Sequence, residues 1–272
     1  MSAAGHSCDR SEVDATWSRD ELDTAARLQR ALLPMSPYRT GAWSIAHRYS
    51  PAGAVGGDLV DLIASGDDLY FVLADVSGKG IAAALLSAYL HAVFRSLIPF
   101  GLSIEEIVRR ASALLCASTL PAQYATLTFG VLRRDGHVVL ANAGHPPALV
   151  IGRERDATVV STGTAAGLFC DSEFGSARVQ LSPGETLLLY TDGVTEAFDA
   201  AEREYGVERL QAAAAAAALE SPQAMIARIG VDQDRFLAGA SPGDDLTMLA
   251  IRRESAAGEL TVPTPGCHGA AL

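Results

Sequence analysis

Apolar positions along the chain follow two periodicities. Short runs rich in Val, Ile, Leu, Phe, Tyr and Thr recur at Trp43–Tyr49, Leu59–Ile63, Leu69–Val76, Thr126–Leu132, Val138–Ala143, Ala148–Ile151, Ala157–Val160, Ala177–Leu181, Thr186–Tyr190 and Leu246–Arg252. These read as strands, with Asp135 and Gly136 forming a tight hairpin turn between two of them. Helical spacing appears instead at Ser18–Leu33, Ile81–Ile98, Ser103–Ala117, Val207–Leu219 and Pro222–Leu237. Ser18 with Glu21, and Ser103 with Glu106, predict capping boxes, while Pro34 and Pro99 mark helix ends. Leu22, Ala25, Ala26, Leu32 and Leu33 share one face of the first helix. That stripe either packs on the chain's own domain or forms a seam for a dimer or a regulator.

Strands grouped with strands and helices in pairs predict a layered α+β sandwich rather than an alternating βαβ fold. The expected organisation is a disordered N-terminus over residues 1–17, a linker or regulatory helix over 18–34, one catalytic domain over 35–254 and a disordered tail over 255–272.

Composition narrows the function classes. The chain has 272 residues, 49% of them hydrophobic and 19% charged, a globular balance with length enough for a large core. Its formal net charge of −11 opposes binding to nucleic acid or to an anionic membrane, since both need a basic surface. Cys8, Cys116, Cys170 and Cys267 lie far apart and show neither a zinc pattern nor a dense disulfide framework. With no signal-peptide pattern at the N-terminus, the expected setting is a soluble protein in the reducing cytoplasm.

Four aspartate motifs carry the chemistry: GGDLVD at 56–61, DVSGKG at 75–80, TDGVTE at 191–196 and GDDLT at 243–247. Apolar runs precede two of them and follow a third, so these carboxylates are expected at strand ends. Gathered together they would repel one another unless cations joined them, and an all-oxygen donor set suits magnesium, manganese or calcium better than zinc. Taken singly, each motif is equally an ordinary Asp-Gly turn.

The succession LQRALLP, GGDLVD, DVSGKG, NAGHPP at 142–147, LLLYTDGVTE and DDLT resembles the metal-dependent PPM, or type 2C, serine/threonine protein phosphatases. Within these it is similar to the bacterial sigma-factor-regulator branch typified by RsbU and the stage II sporulation phosphatase. The resemblance runs from about Leu28 to Arg252. It implies a four-layer α/β/β/α sandwich, two central mainly antiparallel sheets flanked by helix pairs, with two Mn²⁺ or Mg²⁺ ions at one end. By motif, Asp75 would bridge the ions and the Val76 carbonyl would contact one of them. Asp192 and Asp244 would complete one shell, and Asp58 would hold the other ion. The implied activity is hydrolysis of phosphoserine or phosphothreonine on a partner protein, a STAS-type anti-sigma-factor antagonist, through a hydroxide bridging the ions. The alternative is a noncatalytic, pseudophosphatase-like interaction protein in a sigma-factor partner-switching pathway. Neither nucleic acid nor membrane is an expected partner, whereas a homodimer through the N-terminal helix is.

The sequence departs from the wider family at two places. Ser77 stands where eukaryotic members have a histidine, and Pro51, Ala52, Gly53, Ala54 and Val55 occupy the stretch where they carry a phosphate-binding arginine. His145 is the nearest alternative acid by motif, although a structural role suits it better. Glu196 falls where some relatives hold a weaker third metal. Asp61 and Asp245 adjoin proposed ligands, as orienting groups or as solvated turn acids, and Gly78–Lys79–Gly80 reads as a flexible turn rather than a phosphate loop.

Overall fold

The protein is described here from a computed structural model, which covers residues 17–120, 122–152, 157–240 and 243–254. The expected disordered ends, residues 1–17 save Trp17 and residues 255–272, lie outside the described residues. In chain order the first half comprises α1 (Arg19–Leu32), β1 (Tyr38–Thr40), β2 (Trp43–Ser50), β3 (Leu59–Ser65), β4 (Asp68–Val76), α2 (Gly80–Leu97) and α3 (Ile104–Ser118). There follow β5 (Ala125–Leu132), β6 (His137–Ala143), β7 (Ala148–Ile151), β8 (Ala157–Val159), β9 (Ala177–Gln180) and β10 (Thr186–Tyr190). The chain then forms α4 (Asp192–Thr195), α5 (Val207–Ala216), α6 (Pro222–Leu237) and β11 (Leu246–Arg253).

The strands form two antiparallel sheets, one ordered β1-β2-β11-β10-β7-β8 and the other β3-β4-β5-β6-β9. Their alternating apolar faces meet, with Val60, Phe71 and Leu73 packing against Ile45, Leu187, Leu189, Leu249 and Ile251. The outer face of the second sheet is covered by α2 and α3 through Leu90, Phe94, Ile107 and Leu115. The outer face of the first is covered by α5 and α6 through Leu210, Met225 and Ile229. This is the expected four-layer sandwich.

Register decides where the acidic motifs go. Leu59, just after Asp58, pairs with Ala74, just before Asp75. In the other sheet Tyr190 pairs with Met248, so TDG leaves its strand where GDD enters the neighbouring one. All four motifs therefore emerge at one end of the sandwich, two from each sheet.

Several local expectations change. The three-residue β1 is too short to show alternation, and α4 begins on the metal-motif residue Asp192 itself. The Ser18–Glu21 capping box is complete. At Ser103 only half of the second box forms. The hydroxyl accepts from the Glu106 N–H, but the Glu106 carboxylate turns to Arg109 and Arg110, whose fixed cationic forks outcompete a backbone amide. Helix α5 stops at Ala216 instead of Leu219, because an alanine run specifies helix but not its end. Helix α2 with its following turn, Gly80–Phe100, has length and hydropathy enough to cross a bilayer, yet Ala83, Ser87, Leu90, Val93 and Phe94 are buried against the protein.

Cys116 at the end of α3 and Cys170 in the loop before β9 form a disulfide, with Cα atoms 5.4 Å apart. Their separation of 54 residues hid this pairing in the sequence. A bridge closing a loop of that length restricts the unfolded chain, so reduction, or Cys170→Ser, is expected to lower unfolding free energy by about 2–4 kcal/mol. Urea denaturation with and without dithiothreitol measures this, and coincident curves would exclude a stabilising bridge.

Candidate metal centre

Two glycines let the motifs touch. A Cβ on Gly193 would lie 2.2 Å from the Asp245 carbonyl oxygen and 3.2 Å from the Asp244 Cβ, so only glycine lets the TDG turn close onto GDD. A Cβ on Gly57 would lie 2.8 Å from the Val76 carbonyl oxygen, which brings the GGD turn against the end of β4. Asp245 then crosses between sheets. Its Oδ2 accepts the Gly57 N–H at 2.6 Å and its Oδ1 accepts the Ala52 N–H at 2.7 Å. Asp245 is thus a brace for the GGD turn, not a solvated turn acid.

Asp58 is buried within this junction. Its Oδ2 accepts hydrogen bonds from the hydroxyls of Thr191 at 3.0 Å and Thr247 at 2.5 Å, one from each sheet-end motif. The same Thr191 hydroxyl accepts the Thr247 N–H at 3.0 Å, which locks the two motifs together. Asp58 Oδ1 is buried with no hydrogen-bond partner. A carboxylate oxygen left bare in this way is costly unless a cation meets it.

Asp75, Asp192 and Asp244 face the same space. Burial holds Asp58 well above the usual carboxylate range, the charge of Asp75 adds to this, and the Thr247 and Thr191 hydroxyls oppose it. Burial also pushes Asp75 up to about 7, helped by the charges of Asp192, Asp244 and Asp245. Asp192 is raised by burial and then by Asp244. The opposing cation is Lys79, whose Nζ lies 3.0 Å from Asp244 Oδ2 and donates to the Gly243 carbonyl at 2.6 Å. Among the described residues no three His, Cys, Asp or Glu side chains are drawn into a ready-made cation cage. The oxygen-only donor set, with one bare buried oxygen, fits hard divalent cations.

Other singled-out residues fall elsewhere. Asp61 is fully buried and grips Arg95 of α2 through both oxygens, at 2.8 and 2.9 Å, so it pins that helix to β3. His145 is buried with Nδ1 2.9 Å from Thr126 Oγ1, and burial pushes it down to about 3, leaving it neutral and unsuited to protonate a leaving group. Ser77 accepts the Tyr124 N–H at 2.9 Å, a link to β5. Glu196 is exposed at the end of α4, raised by burial and then by Asp192.

A family model described as "Stage II sporulation protein E (SpoIIE)" matches residues 65–254. The chain belongs to the SpoIIE family, the RsbU-type branch of the PPM phosphatases. Asp75, Asp192 and Asp244 lie inside the matched interval and Asp58 precedes it. Protein IcfG of Synechocystis sp. is 29% identical over 89% of this chain and 43% of its own length. Phosphoserine phosphatase RsbU of Bacillus subtilis is 26% identical over 87% of this chain and 71% of its own. The chain thus spans less than half of one of these relatives. Among solved structures, the SiaA-PP2C domain of Pseudomonas aeruginosa superposes with a TM-score of 0.76 at 22% identity, covering 86% of this chain and 96% of that one. The catalytic domain of PstP, solved in complex with two manganese ions, gives a TM-score of 0.57 at 16% identity over 78% of this chain and 99% of that one.

In this SpoIIE-family chain, sequence reading missed the residues that hold Asp58 and the GGD turn. Thr191 and Thr247 stood inside the TDGVTE and GDDLT motifs with no role of their own, and their positions beside Asp192 and the GDD acids were the available signal. Gln29 in the LQRALLP motif is another. Its side-chain amide donates to the Gly56 carbonyl at 2.6 Å, while its oxygen accepts from the Gly56 N–H at 3.1 Å and the Tyr49 hydroxyl at 2.8 Å. Helix α1 is therefore clipped directly to the GGD turn.

The raised Asp75 predicts a pH signature. Folded, it keeps a proton that the unfolded chain loses, so metal-free stability falls as pH rises from about 4 through about 7. Asp75→Asn removes that component. In chelator the variant is expected to be the more stable protein at pH 8, by up to about 4 kcal/mol, with the gap closing as pH falls toward 4. Urea titrations of both proteins from pH 4.5 to 8 read the gap directly. A gap independent of pH would show that Asp75 does not bear the strain.

Proposed function

We propose that the chain is a divalent-metal-dependent protein phosphatase acting on phosphoserine or phosphothreonine of a partner protein. The observation that carries this is Asp58, buried with one oxygen bare, at the point where Asp75, Asp192 and Asp244 from both sheets converge. Asp58, Asp75, Asp192, Asp244 and the Val76 carbonyl would hold two Mn²⁺ or Mg²⁺ ions, with Asp75 between them. Bound there, such ions supply a nucleophilic water at neutral pH and neutralise charge on phosphoryl oxygens. The protein's share is positioning. Thr191 and Thr247 fix the Asp58 rotamer, Asp245 holds the GGD turn, and the closed sandwich keeps the carboxylates from relaxing apart. Intact carboxylates at all four positions favour this over a noncatalytic interaction protein.

The names of the relatives support a phosphoserine substrate. We take the partner to be an anti-sigma-factor antagonist of the STAS type and the setting to be the cytoplasm. Residues 18–34 act as the regulatory helix of a phosphatase domain spanning 35–254. Helix α1 packs on α2, and Leu28 on α1 and Leu85 on α2 are 66% and 67% exposed, which supports this helix pair as a homodimer or regulator seam. Through Gln29, movement of α1 would reach the GGD turn.

Two experiments test this reading. Phosphate release from a phosphorylated candidate antagonist should require Mn²⁺ or Mg²⁺, vanish in chelator and fall by about 100-fold or more in Asp75→Asn, Asp192→Asn and Asp244→Asn. Undiminished release by Asp75→Asn would end the two-metal reading. For the seam, Leu28→Asp should leave the fold intact, since the side chain is exposed, but shift the Mn²⁺ dependence or the mass measured by light scattering. If neither moves, nor the response to a partner, α1 serves only as packing.

A further inference from the structure

The proposed ligands leave one charged group unassigned. Lys79 lies at the start of α2, just beyond Asp75 and Val76, and its side chain is 64% exposed. Its ammonium does not turn to solvent. It bridges to the other sheet's motif, pairing with Asp244 Oδ2 and donating to the Gly243 carbonyl. Its charge also reaches Asp75 and Asp192. One lysine thus stands against three carboxylates.

The tether lies between two glycines. Gly78 and Gly80 flank Lys79 with φ of 99° and 67°, both in the left-handed region, and a Cβ at either would meet nothing within 4 Å. These glycines are not demanded by close packing, so they serve the left-handed backbone conformation on either side of Lys79. Lys79 is the N-cap of α2 without a side-chain cap of its own, and the first turn of α2 carries no acidic residue. The positive end of that helix therefore stays open toward the same mouth.

Resting on the phosphatase reading above, we infer that Lys79 is a substrate-positioning residue that exchanges partners. In the metal-free chain its ammonium stands against Asp244. With Asp244 engaged by a divalent cation, the Lys79 ammonium would be free to turn from that carboxylate to the oxygens of the incoming phosphoryl group. Residues 51–55 carry no arginine and His145 is buried and neutral, so neither supplies a side-chain cation to those oxygens. The exchange moves charge and contacts only, with no bond made or broken by Lys79.

The test uses the full chain with Lys79→Met and Lys79→Arg. Calorimetric Mn²⁺ titration without substrate should show Lys79→Met binding the metal about 2- to 5-fold more tightly, since an exposed ion pair no longer competes. In the Mn²⁺-loaded protein, the dissociation constant of inorganic phosphate and the KM for p-nitrophenyl phosphate should both rise about tenfold, with a smaller fall in kcat. Lys79→Arg should return both phosphate measures toward the parent values. A folded Lys79→Met with parental phosphate affinity overturns the assignment, even if its metal affinity rises. Unchanged metal affinity overturns the exchange. Were the parent chain to release no phosphate at all, the phosphatase reading would fail, while inorganic phosphate binding would still decide the role of Lys79.

Discussion

Negative charge crowded at the seam of two sheets is the constraint around which this fold is arranged. Asp58 and Asp75 come from one sheet, Asp192 and Asp244 from the other, and burial together with mutual repulsion raises three of them. An open arrangement would relieve the repulsion. The interdigitated core between the sheets prevents it, and so do the cross-sheet hydrogen bonds from Thr191 and Thr247 to Asp58 and from Gly57 and Ala52 to Asp245. Carboxylates held together against their own repulsion suit a divalent cation, which is the physical basis of the proposed site.

Glycine placement makes the crowding geometrically attainable. At Gly193 a methyl group would overlap the Asp245 carbonyl, and at Gly57 the Val76 carbonyl, so these two positions set how closely the motifs approach. Elsewhere the acids do different work. Asp61, three residues after Asp58, faces the opposite way along β3 and spends its charge on Arg95 of α2. Two carboxylates of one motif thus part, one into the junction of the four motifs and one onto a helix, because side chains alternate faces along a strand.

Much of this was legible in the sequence. Short runs rich in β-formers located every long strand, and the capping serine and stop proline bounded α1 closely. The grouping of strands and helix pairs foretold the layers. The four motifs were visible because each required Asp and Gly in fixed succession. What escaped had a shared cause: pairing over distance. Cys116 and Cys170 meet only through the fold. Thr247 reaches Asp58 across 189 positions, and no local pattern marks such a hydroxyl as a carboxylate's partner. Gln29 was a polar residue on an amphipathic helix until the fold set it against Gly56. Lys79 read as part of a flexible turn, and the destination of its side chain depended on the other sheet.

The position of β11 carries a consequence for synthesis. This strand, the last among the described residues, sits in the middle of its sheet, hydrogen-bonded to β2 on one side and β10 on the other. Until it emerges from the ribosome, those neighbours face each other across a gap, and the acids of TDG and GDD cannot meet. A partly made chain therefore lacks the junction at which the four motifs gather. That junction forms only when the whole sandwich closes, in a step that depends on long-range pairing.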